Sequence, residues 1–229
     1  MHINIQALTY TYPDSPLQAL TQVTATFAEG WTGIVGANGA GKSTLLSLLC
    51  GFDRPSSGSI TPSITGSYCA QSTRNAPENL YDFASDYSPY AVRLRSMLAL
   101  DDDWIWRYET LSHGEKKRLQ VACALAPEPS FIALDEPTNH LDTQTRIVLL
   151  EALQHYRGVG LIVSHDRAFL DALVYQCLFL EEGTATLVPG SYSEAKSQID
   201  ARRHSAHRER QHARADLVRV QTENNRRKA

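Results

Sequence analysis

The sequence predicts an α/β domain of three layers around a largely parallel sheet. Short apolar runs of strand length alternate with segments whose apolar residues recur at helical spacing. A glycine-rich stretch, Gly36–Thr44, lies between one such strand and one such helix. A further run, Phe131–Leu134, is apolar throughout and ends in two acids, Asp135 and Glu136.

Taken in order, residues 2–10 alternate, with Ile3, Ile5 and Ala7 set against Asn4, Gln6 and Leu8. Leu20–Phe27 does the same through Leu20, Val23, Ala25 and Phe27, so both read as strands joined by the Pro13-Asp14-Ser15-Pro16 turn. Gly33-Ile34-Val35 is a short buried strand that enters the glycine loop, and Leu45, Leu46, Leu48 and Leu49 follow at helical spacing. Residues 53–70 read as a turn and a hairpin strand ending at Tyr68-Cys69-Ala70. From Asp82 to Arg107 the pattern is helical, with Met97, Leu98 and Leu100 facing inward and Asp101-Asp102-Asp103 suiting a helix start or a loop. Leu111–Ala126 is a loop followed by an amphipathic helix, and Leu161-Ile162-Val163 is another apolar strand. Thr143–Tyr156 and Arg167–Tyr175 read as helices, and residues 178–188 as a closing hairpin turning at Glu181-Glu182-Gly183. After Pro189-Gly190 the chain contains no further Pro or Gly and becomes a polar helix with seven-residue spacing at Ile199, Ala206, Ala213 and Val220. Its polarity argues against a core role. The domain boundary is set there, at 1–190 and 191–229.

The 229 residues suffice for one large domain with an appendage, and 42% hydrophobic with 21% charged residues is ordinary for a soluble protein. No run approaches the roughly 18 apolar residues of a membrane span, and the first residues lack the pattern of a secretory signal. Cys50, Cys69, Cys123 and Cys177 stand singly, without metal-ligand spacing, which reads as reduced buried thiols in a cytosolic chain. The net charge of −3 conceals an asymmetry: residues 195–229 hold ten Lys/Arg against four Asp/Glu. A basic tail on an acidic body points to an anionic partner.

Gly36-Ala37-Asn38-Gly39-Ala40-Gly41-Lys42-Ser43 fits the pattern G-x-x-x-x-G-K-[ST]. Its glycines let successive N–H groups aim at one point, and a helix N-terminus there makes a concave anion site. Lys42 supplies a charge for β/γ-phosphate oxygens, Ser43 a hydroxyl ligand for Mg²⁺, and Thr44 reaches towards the α-phosphate. A buried strand delivers Asp135 to the carboxyl edge of the sheet, where ligands sit in this architecture. Asp135 there suits Mg²⁺, and Glu136 is placed to polarise an attacking water.

With these elements in place, the chain resembles an ATP-binding-cassette (ABC) ATPase. Leu111-Ser112-His113-Gly114-Glu115 is similar to the family's signature loop and comes shortly before the acidic strand. Gln71 resembles the Q-loop glutamine that also serves the metal, His165 the switch histidine and Asp142 the D-loop aspartate. Tyr12 falls where the family stacks an aromatic on adenine, with Tyr10 as a near competitor. The resemblance implies a P-loop NTPase fold, with an antiparallel β-subdomain and a small helical subdomain beside the α/β core. It also implies ATP and Mg²⁺ as cofactors. Catalysis would fall to Glu136, His165 and Gln71.

The stretches Asp135–Asp142 and Ser164–Asp171, and Pro189-Gly190-Ser191-Tyr192 opening a basic helix, resemble the ABC-F subfamily. Its members carry no transmembrane part, usually hold two ABC domains joined by a helical linker, and many act on ribosomes. The likeness implies RNA contact through basic residues such as Arg202, Arg203, Arg208, Arg210 and Arg214. His113 departs from the usual glycine and is expected either to crowd the nucleotide of an opposing domain or to offer it a donor. Only 40 positions separate Gln71 from Leu111, so the helical subdomain should be small, with no long arm insertion.

One copy cannot complete an ABC site, so a second ABC domain is expected. The helix running uncapped to Ala229 favours the first half of a tandem protein. Two other readings stand beside this one: the ATPase subunit of a membrane transporter, and a non-catalytic nucleotide-dependent module.

Overall fold

Strands buried on both faces form the centre of the molecule. The computed structural model describes residues 1–13, 16–63, 66–181, 183–205 and 208. The central sheet contains β3 (Gly30–Gly36), β5 (Ser67–Cys69), β6 (Phe131–Asp135), β7 (Val159–Val163), β8 (Gln176–Glu181) and β9 (Thr184–Pro189). Their spatial order is β5-β6-β7-β3-β8-β9, all parallel except for β9, which pairs antiparallel with β8. Every residue of β6 and β7 is buried. Successive side chains enter opposite cores, as the two-residue period requires. Ile132, Leu134, Ile162, Cys177 and Phe179 join one core, while Phe131, Ala133, Leu161, Leu178 and Leu180 join the other.

The second core lies under α1 (Lys42–Leu49) and a three-stranded antiparallel sheet of order β2-β1-β4. This sheet comprises β1 (His2–Thr11), β2 (Gln18–Ala28) and β4 (Ser57–Thr61). Simple alternation fails at Ala7: its φ is 48°, the β1–β2 register shifts between Ile5 and Leu8, and Leu8 is buried while Ala7 is exposed. Gln22 makes a matching kink in β2, at φ 51°, which accounts for the three-residue step from Leu20 to Val23. The expected hairpin over residues 53–70 does not form. β4 pairs with β1, whereas β5 crosses to the central sheet and pairs with β6. Gly58 permits the first pairing, because a Cβ on it would lie 2.4 Å from Ala7 O at the bulge.

The other core is covered by α3 (Pro89–Met97), α4 (His113–Leu125), α5 (Thr143–Gln154) and α6 (Arg167–Leu173). The expected helical stretch over 82–107 resolves into α2 (Leu80–Ser85), α3 and a 3₁₀ segment, Trp104–Thr110. Arg95 ties the first two together by donating to the Phe83, Ala84 and Asp86 carbonyls that end α2. This is the small helical subdomain that the spacing predicts. All four cysteines are buried free thiols, and burial pushes those of Cys50, Cys123 and Cys177 up to about 12. Among the described residues, no helix is long and apolar enough to cross a membrane.

A helix over residues 192–205, α7, follows β9. Its polarity predicts a place outside the core, but Ala195 is 0% exposed and Ile199 is also buried, both within the cluster that holds α5 and α6. The seven-residue spacing therefore begins with a residue seated on this domain. Ser193 N and Oγ hydrogen-bond to Asp171 at 2.6 and 2.5 Å, and Arg203 pairs with Glu181. Arg202 and Arg208 are exposed. Arg210, Arg214, Ala206, Ala213, Val220, Asp14, Ser15 and Glu182 lie outside the described residues.

If the first turns of α7 belong to the folded unit, a charge at Ala195 has no solvent to enter. Ala195→Asp is expected to destabilise the protein by about 3 kcal/mol, lowering Tm by about 6–12 °C. An unchanged melting curve would show that α7 is peripheral to the core.

Candidate functional site

Parallel pairing brings the carboxyl ends of β3, β6 and β7 to one edge of the sheet, with Ile34 opposite Val163 and Val163 opposite Asp135. The loop after β3 is Gly36–Gly41, and α1 starts at Lys42 with Gly41 as its cap residue. Gly41 has φ 93°, and a Cβ there would stand 2.6 Å from Ala19 O. No other residue type meets both demands. Among the described residues no side chain caps α1, which leaves the N–H groups of its first turn available to an anion. Lys42 Nζ folds across the loop and donates to Gly36 O and Ala37 O, each at 2.9 Å.

Asp135 ends β6 and is 4% exposed, with Tyr68 Oη donating to its Oδ2 at 3.2 Å. Glu136 is 5% exposed and holds φ 48°, the left-handed region that a non-glycine residue avoids. Its N–H still donates to Val163 O at 2.9 Å, extending the β6–β7 ladder by one step. The turn brings its carboxylate under the β7–α6 loop, where Oε2 accepts from His165 N at 3.2 Å. Oε1 lies 3.1 Å from His165 Nε2 and has no hydrogen-bond partner among the described residues. Burial raises the Glu136 pKa above the ordinary carboxylate value, and the His165 ring opposes that rise. The His165 ring itself is 61% exposed.

These groups share a cleft of about 600 Å³ with Tyr12, Asn38, Gly39, Gly41, Ser43, Thr44 and Gln71, a volume suited to a small-molecule ligand. Tyr10 of β1 and Tyr12, just beyond its end, differ in exposure. Tyr10 is buried, while Tyr12 is exposed at the cleft and its hydroxyl lies 2.6 Å from Thr44 Oγ1. Gly36, Ala37 and Ala40 face a second cleft of about 600 Å³ that shares Lys42 and His165 with the first. Ser43, Gln71 and Asp135 all line the cleft and offer an all-oxygen donor set, which fits a hard divalent cation that also takes substrate oxygens and water. Sequence reasoning gave no role to Tyr68 or Asn139, both of which help to form the site.

The signature stretch does not line this cleft. Leu111 is buried, and Ser112 caps α4 in a reciprocal pair with Glu115: Glu115 N to Ser112 Oγ at 3.3 Å, and Ser112 N to Glu115 Oε2 at 2.7 Å. His113 turns back into its own domain. Its Nδ1 lies 3.1 Å from Thr73 Oγ1, its ring meets the His140 ring edge-on, and burial lowers its pKa. Gly114 packs on Thr145. Asp142 caps α5, accepting from Thr145 N at 2.8 Å and Thr145 Oγ1 at 3.0 Å, bonds that hold its carboxyl below the ordinary range.

Comparison with known proteins fits this geometry. The family described as "ABC transporter" matches residues 20–139. The ribosome protection protein VmlR of Bacillus subtilis is 34% identical over 84% of this chain and 34% of its own length. The energy-dependent translational throttle protein EttA of Haemophilus influenzae is 31% identical over 84% of this chain and 37% of its own length. The chain thus spans about a third of the length of these relatives. A dimeric ATP-binding cassette in a post-hydrolysis state, bound to ADP and phosphate, superposes with a TM-score of 0.65 at 21% identity, covering 82% of this chain and 98% of that one.

The burial of Glu136 has a consequence for stability. An acid whose folded pKa is raised binds more protons folded than unfolded between its ordinary and raised values, so stability falls as pH rises through that window. Glu136→Gln removes this loss. Its Tm should exceed that of the parent by a margin that grows as pH rises above the ordinary carboxylate range and levels off once the folded carboxyl is ionised, as read by scanning calorimetry. A margin that is constant or negative would show that the buried carboxylate carries no such penalty.

Proposed function

Because the chain belongs to the ATP-binding-cassette family, we propose that its cleft binds ATP with Mg²⁺ and hydrolyses it once a second ABC domain closes over it. One observation carries the reading: Lys42, Ser43, Gln71, Asp135, Glu136 and His165, drawn from distant parts of the sequence, line a single cleft.

In this reading the free N–H groups at the start of α1 and the Lys42 ammonium hold the β- and γ-phosphates. Ser43, Gln71 and Asp135 hold Mg²⁺, which would neutralise charge on the phosphate oxygens. The ring of Tyr12 supports adenine. Glu136 accepts a proton from the attacking water. Its buried carboxyl, raised in pKa, is a stronger base than an exposed one. His165, with its ring exposed at the cleft mouth, contacts the γ-phosphate.

Chemistry as well as kinship supports a second domain. Ser112 stands outside the cleft, and the related cassette of known structure is a dimer. A signature loop from another ABC domain would complete the phosphate cage. The kinship to VmlR and EttA, together with the run Asp135–Asp142, supports an ABC-F-type role on ribosomes. The basic segment from residue 191 onward would contact RNA there.

Lys42→Ala should weaken ATP binding by about 10- to 100-fold, the worth of a charge-assisted contact to phosphate, measured by titration calorimetry. Retained affinity would remove the loop from its role. With a competent partner domain, Glu136→Gln should lower turnover by about 10²–10⁴-fold while ATP still binds, which is the scale of a lost general base. Unchanged turnover would dismiss Glu136. Glu136→Gln loaded with ATP should also co-sediment with ribosomes. Recovery with membranes instead would favour the transporter-subunit reading.

A further inference from the structure

Lys117 is a fully buried cation that the chemistry above does not use. It sits in the second turn of α4 at 0% exposure, among the largest fully buried side chains of the described residues. Its Nζ donates to Ala70 O at 2.7 Å, Gln71 O at 3.2 Å and Gln120 Oε1 at 2.8 Å, so all three ammonium protons have acceptors. Gln120, three residues on and on the same helical face, donates its Nε2 to Ser72 O at 2.9 Å. Tyr108 Oη continues the series at Thr73 O and Asn75 O, each at 3.1 Å.

Residues 70–75 contain no helix or strand, so their carbonyls find no partners in regular structure. Side chains from α4 and the 3₁₀ segment supply them. The carbonyls of residues 70, 71 and 72 are held from behind, while the exposed Gln71 lines the nucleotide cleft beside Asp135. Burying an ammonium is costly, and an apolar chain of similar length would fill the same space without that cost. Burial accordingly lowers the Lys117 pKa, and the negative charge of Asp135 works against that shift.

We propose that Lys117 is a positioning residue, whose buried ammonium fixes the backbone of residues 70–72 and thereby presents the Gln71 side chain to the proposed metal site of the cleft. The proposal rests on the Mg·ATP reading given above. It makes Lys117 act through Gln71 and not on the nucleotide, because the phosphate loop is carried by β3 and α1.

The test uses the full chain and titration calorimetry of ATP, with Mg²⁺ or with EDTA. Lys117→Met should leave metal-free ATP affinity unchanged and cut the gain in affinity conferred by Mg²⁺ by about tenfold, the scale of a lost partner behind a metal ligand. Lys117→Gln, which keeps a hydrogen-bond donor, should recover part of that gain. In a Gln71→Ala background, Lys117→Met should add nothing, since the two effects share one route. A Mg²⁺-dependent gain equal to that of the parent would overturn the proposal, as would an undiminished Lys117→Met effect in the Gln71→Ala background. If Lys117→Met does not fold, Lys117→Gln keeps the test open through amide hydrogen exchange. Faster exchange confined to residues 70–75 supports the proposal, and unchanged or uniformly faster exchange overturns it. A parent chain that binds no ATP in either buffer would instead dismiss the Mg·ATP reading itself.

Discussion

The hydrogen bond from Glu136 N to Val163 O, at 2.9 Å, lies one residue beyond the last paired positions of β6 and β7, and the site depends on it. It carries the sheet register into the turn, where Glu136 takes φ 48°. Without that backbone inversion, the residue after Asp135 would continue along the strand and its side chain would leave the cleft. Strain of this kind costs on the order of 1–3 kcal/mol and persists only where the surroundings over-determine it. Here they do: β6 is buried on both faces, and the β7–α6 loop returns a backbone N–H to the carboxylate. The parallel sheet therefore does more than gather loops at one edge. It sets the angle at which a carboxylate faces the phosphate loop.

What could be read from the sequence divides along the same physical line. The phosphate loop was legible because its function resides in consecutive residues, and the acidic pair because an apolar run ends abruptly in charge. Gln71 and His165 were legible only through family resemblance, since a single Gln or His has no local signature. Nothing local indicated that Glu136 adopts a left-handed conformation. The bulge at Ala7 was equally hidden: an unbroken two-residue alternation predicts Ala7 inside and Leu8 outside, and the register shift reverses them. Residues 53–70 read as one hairpin because strand propensity does not say which sheet a strand will join. α7 was judged by its mean polarity, yet two small apolar contacts, Ala195 and Ile199, are enough to seat its first turns.

His113 is the departure that most needed a structure. As a lone substitution in a glycine pair it suggested either a steric block or a new donor directed at an opposing nucleotide. The imidazole instead occupies space within its own domain, between Thr73 and His140. As the first residue of α4 after the Ser112 cap it has helical geometry, so its side chain turns back along the helix and not outward. The outward-facing surface of the loop is left to Ser112, and Glu115 completes the capping pair.

α4 thus serves two surfaces of the molecule at once. Its N-terminal cap is the exposed Ser112, and one turn later its buried face carries Lys117 and Gln120 beneath residues 70–72. A 13-residue helix is stiff over that distance, so the cap and the Gln71 backbone are separated by rigid structure and not by flexible chain. Among the described residues Lys42, by contrast, hydrogen-bonds to carbonyls of its own loop. The nucleotide cleft is therefore assembled from two independently fixed walls. One is the β3–α1 loop with its own lysine, and the other is the Gln71 segment with a lysine borrowed from α4. In the proposed reading the cation would be held between them, by Ser43 from the first and by Gln71 with Asp135 of β6 from the second. A metal placed there would join the two walls, which is why the affinity conferred by Mg²⁺, more than the affinity for ATP alone, reports on how the second wall is held.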